Sequence, residues 1–194
     1  MPYYHGSPAG GITSLVPPPG GVIYLTSCRA YALFYIRDLA VNHVTCGVAE
    51  DGAVVYDEQF PGQLRVIYAG RGGWLYTCEG SGLVPGGSPW IATSDRAVSV
   101  IDAEYISDAY ETIRRGMDAG AVRVRRYEEK TEEQKRDITE MMVHTIFKNA
   151  LLDADTPKAR FIEQSFPKAW AYAENHRAHA AEYIELWEKA HAGK

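Results

Sequence analysis

The chain is poor in several things that would settle its class at once. It has three cysteines in 194 residues, Cys28, Cys46 and Cys78, an odd number with no C-x-x-C pair. That excludes a disulfide scaffold and points to free thiols in a reducing compartment. No run approaches the ~18 apolar residues of a membrane span. No basic region followed by an apolar run stands near Tyr3-Tyr4-His5, so no secretory leader is read there and the expected location is cytoplasmic. There is no excess of positive charge: the formal net charge is -5, which argues against tight, sequence-independent binding to a nucleic-acid backbone. There is no internal repeat and no low-complexity tract.

Two glycine groups, Gly70-Arg71-Gly72-Gly73 and Gly80-Ser81-Gly82, suggest a dinucleotide loop but lack the third glycine of the Rossmann pattern, because Leu75 and Pro85 stand in its place. Both read as turns. A metal site is also poorly supported. His176 and His179 are three apart in a helical stretch, but no third ligand has an obvious place. Each cysteine sits among apolar residues, where a small buried hydrophobe is the better reading than a nucleophile. Arg123, Arg125 and Arg126 form a small basic run whose default reading is a solvated strand edge.

What is present is a globular composition, 46% apolar, that changes character near residue 128. Before it the chain is rich in glycine, proline and β-branched or aromatic runs. After it come helix formers broken by Pro157 and Pro167. The expected architecture is an α+β body, residues 1–128, with a helical C-terminal segment, 129–194, packed on it or mediating assembly. Strands are expected at 2–5, 22–26, 44–48, 53–56, 73–78, 90–93, 97–105 and 122–126. Asp51-Gly52 would join two of them through a type I′ turn. Residues 8–21 and 80–89 read as loops, and 58–68 leans towards a short helix. A helix is expected over 28–42, capped by Ser27, with Ala32, Phe34, Tyr35, Leu39 and Ala40 on one face. Asp108 to Met117 should form another, closed by Gly120. Thr131 and Gln134 form a capping box before the stripe Ile138, Met141, Met142, Ile146 and Ala150. Pro157 suits a first helical turn, and a last helix should run from Pro167 to His191.

The functional signal is a spaced set of four residues: His5 in Tyr4-His5-Gly6-Ser7, Tyr24 in Ile23-Tyr24-Leu25-Thr26, Tyr35 eleven residues later, and Glu104 in Ala103-Glu104-Tyr105-Ile106. Their types suit work on a nicotinamide-ribose bond. That bond breaks through an oxocarbenium-like transition state with a leaving group that is already cationic. Aromatic faces can sandwich the ring. A residue without a side chain can grip the carboxamide through its backbone. A histidine can hold a ribose hydroxyl, and a carboxylate can stabilise the developing cation. Each residue also has an ordinary reading: His5 as a strand-end histidine, Tyr24 and Tyr35 as core aromatics in a chain with thirteen tyrosines, and Glu104 with rivals in Glu79 and Glu111.

These segments resemble the His-Tyr-Glu class of ADP-ribosyltransferases, the class of diphtheria toxin and the poly(ADP-ribose) polymerases. His5-Gly6-Ser7 matches its first strand, Tyr24 and Tyr35 its tyrosine pair, and Glu104-Tyr105-Ile106 the opening of its late strand. The resemblance covers about residues 3–126. It implies a split pair of small β-sheets with a cleft between them, NAD as substrate and no metal. By that likeness Tyr24 and Tyr35 would stack on the nicotinamide. Gly6 would bind the carboxamide, Ser7 would join the NAD-binding residues, and His5 would hold a ribose hydroxyl. Glu104 would bind the nicotinamide-ribose 2′-hydroxyl and stabilise the cation.

Two positions depart from related patterns. Ala32 stands where the polymerases place a serine. Asp102 stands where arginine-modifying enzymes carry a second glutamate or glutamine, so arginine is a poor guess for the acceptor. The acceptor is otherwise open, protein or nucleic acid, with water in its place for a glycohydrolase. The other classes kept in view are a catalytically silent NAD- or ADP-ribose-binding or interaction module of the same fold, and an unrelated α+β protein with chance matches.

Overall fold

The computed structural model describes residues 1–38 and 45–192. The fold is α+β, and its contacts divide the described chain into two compact units. The first comprises residues 1–38, 45–58 and 62–125; the second comprises 59–61 and 126–192. The division falls at Arg125/Arg126, just before the change in composition.

The first unit contains ten strands, three helices and two sheets. In chain order these are β1 (Tyr3–Ser7), β2 (Ser14–Leu15), β3 (Ile23–Thr26), α1 (Arg29–Ala32), β4 (Cys46–Val48), β5 (Val54–Asp57) and α2 (Gln63–Tyr68). They continue with β6 (Gly73–Cys78), β7 (Val84–Pro85), β8 (Ile91–Ser94), β9 (Val98–Ile106), α3 (Ala109–Asp118) and β10 (Val122–Arg125). The larger sheet is antiparallel with order β2-β9-β6-β1-β3-β8-β7; the smaller runs β10-β5-β4, with β10 parallel to β5. One face of the larger sheet buries Leu15, Ile23, Leu25, Tyr76, Cys78 and Val98 together.

The pairing is uneven where it matters. β1 and β6 are in register at five positions, from Tyr3↔Cys78 to Ser7↔Trp74. β1 and β3 share one register pair, Tyr4↔Thr26, while β3 pairs fully with β8 from Ile23↔Ser94 to Thr26↔Ile91. The sheet is therefore continuous in order but parted between β1 and β3.

The helix expected over 28–42 is shorter and differently capped. α1 has one turn of α-helix and continues as a 3-10 turn over Leu33–Tyr35. Cys28, not Ser27, is its N-cap and makes no side-chain cap; the Thr26 hydroxyl accepts the Cys28 N–H instead, at 3.1 Å. Ala32 and Phe34 are fully buried. Phe34 stacks on Tyr56 at 5.3 Å between centroids, and its carbonyl accepts from the Tyr68 hydroxyl at 2.9 Å. Tyr35, the next residue, is thereby fixed in place. Leu39, Ala40 and Val44, expected to belong to this helix and the following strand, lie outside the described residues.

Other turns also correct the sequence reading. Asp51-Gly52 does not form a type I′ turn, because only Gly52 takes a positive φ, 84°. Gly52 N–H donates to Ala49 C=O, and Ala49 N–H to Ala53 C=O, both at 2.9 Å. This is the three-residue hairpin loop that ends in a left-handed glycine. The expected loops 8–21 and 80–89 each contain a two-residue strand, β2 and β7. Too short for a pattern of alternation, these strands exist only through their partners β9 and β8.

In the second unit the helices are α4 (Glu132–Lys148), α5 (Pro157–Ser165), α6 (Pro167–Asn175) and α7 (Ala180–His191). Thr131 and Gln134 form the expected capping box, and Pro157 opens α5 behind a Thr156 cap. Ile138, Met142 and Ile146 are buried in the core with Phe60, Ile162 and Phe166. Met141 packs at its margin. Ala150 does not extend the stripe: it lies beyond the helix end in the left-handed region, φ 49°. The single helix expected over 167–191 is broken at His176–His179 by a 3-10 turn. Trp187 of α7 lies between His144 and His191, with ring centroids 4.0 Å from each. Among the described residues no helix is long and apolar enough to cross a membrane.

Candidate functional site

His5, Gly6, Tyr24 and Tyr35, distant in sequence, line one cleft of about 330 Å³ in the first unit. The parting of β1 from β3 opens it. β1 supplies His5 and Gly6, β3 supplies Tyr24, and the 3-10 turn after α1 supplies Tyr35. Leu15, Val16 and Pro18 form another part of its wall. A turn holds that wall: Gly21 N–H donates to Pro18 C=O at 2.9 Å. Gly20 sits at the turn's third position with φ 70°, as a type II turn with proline second requires.

Gly6 is dictated by close approach. A Cβ built on it would lie 2.0 Å from the Ala32 carbonyl oxygen and 3.3 Å from the Tyr35 Cβ. No other residue lets α1 come down on β1 at this point. Strand alternation sends the His5 side chain to the other side of the pleat. Where the strands part it turns into the gap, and its Nδ1–H donates to the Tyr24 carbonyl at 3.2 Å. With Nδ1 so engaged, Nε2 is the ring atom left for a ligand hydroxyl. Burial holds the imidazole below its ordinary pKa, and the bond to the Tyr24 carbonyl pulls more weakly the other way.

The tyrosines differ in setting. Tyr24 is 61% exposed and presents its ring at the cleft mouth. Tyr35 is half-buried, and its ring meets that of Tyr31 edge-on, centroids 5.7 Å apart. The Tyr35 hydroxyl donates to that of Tyr31 at 3.4 Å. Burial, first, and this contact raise the Tyr31 phenol, so Tyr31 is a further, neutral ring of the cleft. Sequence reasoning missed it, although its position one helical turn before Tyr35 was the available signal.

Glu104 sits elsewhere on the same face. Gly6 is opposite Leu75, and Leu75 is opposite Glu104. The Cα of Glu104 is thus two strand spacings, about 10 Å, from that of Gly6. It does not line the cleft. It is exposed and ion-paired with Arg29, the first residue of α1. Nothing in the sequence marked Arg29. Ser7 is also outside the cleft lining; its Oγ accepts the Ala9 N–H at 3.1 Å.

The rivals are placed too. Glu111 lies in the first turn of α3, ion-paired with Arg114 at 3.1 Å. Glu79 follows β6, its N–H donating to Ser99 C=O at 3.1 Å. Asp102 pairs in register with Thr77. His176 stacks on Tyr172 and His179 faces Glu182. Among the described residues no group of three or more His, Cys, Asp or Glu side chains is gathered as a metal site would need. Arg123 pairs with Asp51, and Cys78 is buried as a small hydrophobe.

Compared with protein-family models, with curated proteins and with solved structures, the chain matches none.

Proposed function

We propose that the chain is an NAD-dependent enzyme that cleaves the nicotinamide-ribose bond, as an ADP-ribosyltransferase of the His-Tyr-Glu kind or as an NAD glycohydrolase. The observation that carries the reading is convergence: His5, Gly6, Tyr24 and Tyr35 border a single cleft. Two tyrosine rings there can hold a flat ring, and Gly6 borders the cleft where two strands part. His5 keeps one nitrogen for a ribose hydroxyl. Glu104, on the same face, would accept a hydrogen bond from the 2′-hydroxyl and favour positive charge at the anomeric carbon. The acceptor is a protein or nucleic-acid group, or water.

In the reaction the bond from C1′ to the ring nitrogen breaks and its electron pair stays on the nitrogen, which becomes neutral. No general acid is needed at that atom. The test is nicotinamide release from NAD by the purified protein, with Glu104→Gln as control. Release that falls by about 10²-fold or more in the variant supports the reading. Absence of release, with or without a lysate supplying acceptors, counts against it.

One observation favours the second reading, a silent module that binds NAD or ADP-ribose. Glu104 lies outside the cleft lining and is paired with Arg29. NAD recovered intact after prolonged incubation, with measurable binding, would select that reading.

A further inference from the structure

We infer that the cleft takes N-ribosyl pyridinium cations as a class, nicotinamide riboside included, and that the adenylate half of NAD adds little to recognition. The inference rests on the proposed NAD-cleaving reading and narrows its substrate.

The argument begins with charge. Among the described residues lining the cleft, none is a lysine or an arginine. A pyrophosphate ordinarily needs such cations, or the open N–H groups of a helix N-terminus. α1, beside the cleft, has four residues and offers no such terminus. The two cations nearest in the chain to these residues are already engaged. Arg29 is ion-paired with Glu104. Arg37 donates to Phe34 C=O at 2.8 Å and lies over the Tyr35 ring, 5.3 Å from its centroid. The chain as a whole carries -5.

The walls suit a cation. Tyr4, Tyr24, Tyr31 and Tyr35 all contribute to the lining, and the faces of aromatic rings attract positive charge. His5 is held neutral by burial and so does not repel it. The volume of about 330 Å³ lies at the low end of the roughly 300–1,000 Å³ typical of small-molecule clefts. That is room for a ring and a pentose rather than for a dinucleotide.

The chemistry needs nothing from the adenylate. The bond between C1′ and the pyridinium nitrogen breaks, and the electron pair leaves with nicotinamide. Water adds its oxygen to C1′ and gives up one proton to solvent. The products are nicotinamide, ribose and a proton.

The experiment compares NAD⁺, nicotinamide riboside and NADH with the intact protein. Nicotinamide release gives kcat/KM for the first two, and ligand-observed NMR gives the affinity of all three. The expected result is that riboside and NAD⁺ agree within about tenfold in both measures. NADH, whose ring is uncharged, should bind more than about tenfold more weakly. Tyr24→Leu, an exposed position, should weaken both cations. NAD⁺ favoured over the riboside by more than about tenfold overturns the inference while leaving NAD cleavage standing. So does NADH binding as well as NAD⁺. If neither cation is cleaved, the affinities still decide: equal binding lost in Tyr24→Leu supports the cation site, and no binding overturns it.

Discussion

Arg29 at the start of α1 is ion-paired with Glu104 in β9, so the helix lying over Gly6 also holds a carboxylate on the same face two strands away. The two contacts are ends of a single short element: Ala32 and Tyr35 press on β1, and Arg29 reaches β9. Both members are about half exposed, at 46% and 51%. A pair so solvated is worth little to the fold. Arg29→Gln should therefore change unfolding free energy by less than about 1 kcal/mol, measured by urea denaturation. A larger loss would mean that the pair holds α1 in place.

Gly6→Ala should behave quite differently. Its new methyl would meet the Ala32 carbonyl at 2.0 Å, and backbone cannot yield as a flexible side chain can. Overpacking of this kind should cost roughly 2–3 kcal/mol, visible as a lower urea midpoint. A variant as stable as the parent would show that α1 can lift off β1.

His5 should leave a mark on the pH dependence of stability. Burial lowers its folded pKa beneath the ordinary 6.5, so the unfolded chain takes up the proton first as pH falls. Above about 6.5 both states are neutral and His5 contributes no slope. Below it stability declines until the folded imidazole also protonates, since stability rises with pH wherever the unfolded state holds more protons. In His5→Gln this component should vanish, leaving a flatter curve below pH 6.5 in denaturation series. An unchanged curve would mean the imidazole titrates alike in both states.

The thiols give a test of burial. Burial pushes Cys46 and Cys78 up to about 11 each, so at pH 8 neither holds much thiolate, the reactive form. Cys28 and Cys46 are both partly exposed, and Cys78 is buried. Alkylation of the native protein at pH 8, followed by mass spectrometry, should modify Cys28 well before the other two, which should react together on denaturation. Early labelling of Cys78 would contradict its place in the core.

Thr131→Ala tests the second unit. The Thr131 hydroxyl accepts the Gln134 N–H at 3.2 Å while the Gln134 side chain accepts the Thr131 N–H at 2.9 Å. Loss of this cap should cost about 1 kcal/mol, read as a fall in thermal midpoint.

Much of the architecture was legible in the sequence because its signals are local. Thr131 with Gln134 is a cap whose chemistry is complete within four residues, and Pro157 suits a first helical turn by itself; Asp108, expected as the first helical residue, is instead the N-cap of α3. What the sequence hid depends on partners. β2 and β7 are strands only through β9 and β8. α1 begins one residue later than expected, with Cys28 rather than Ser27 as its N-cap and the Cys28 N–H held by Thr26 of the preceding strand. Ala150 fits the apolar spacing of α4 but falls one residue past its C-cap. At the site, Tyr24 and Tyr35, singled out by the resemblance, both border the cleft. The further ring, Tyr31, and the ion pair of Arg29 with Glu104 follow from how α1 lies on the sheet, which no spacing encodes.

The meeting of β1 and β3 at Tyr4↔Thr26 and their parting beyond it leave something like a ladder with rungs removed. One rail keeps its backbone at Gly6, bare of any side chain. The other has lent the Tyr24 carbonyl to an imidazole. A group that seats itself between such rails does best if it carries one donor and one acceptor in the plane of a small flat unit. A primary carboxamide is that unit: a peptide link cut free of its chain, able to stand in for a missing rung.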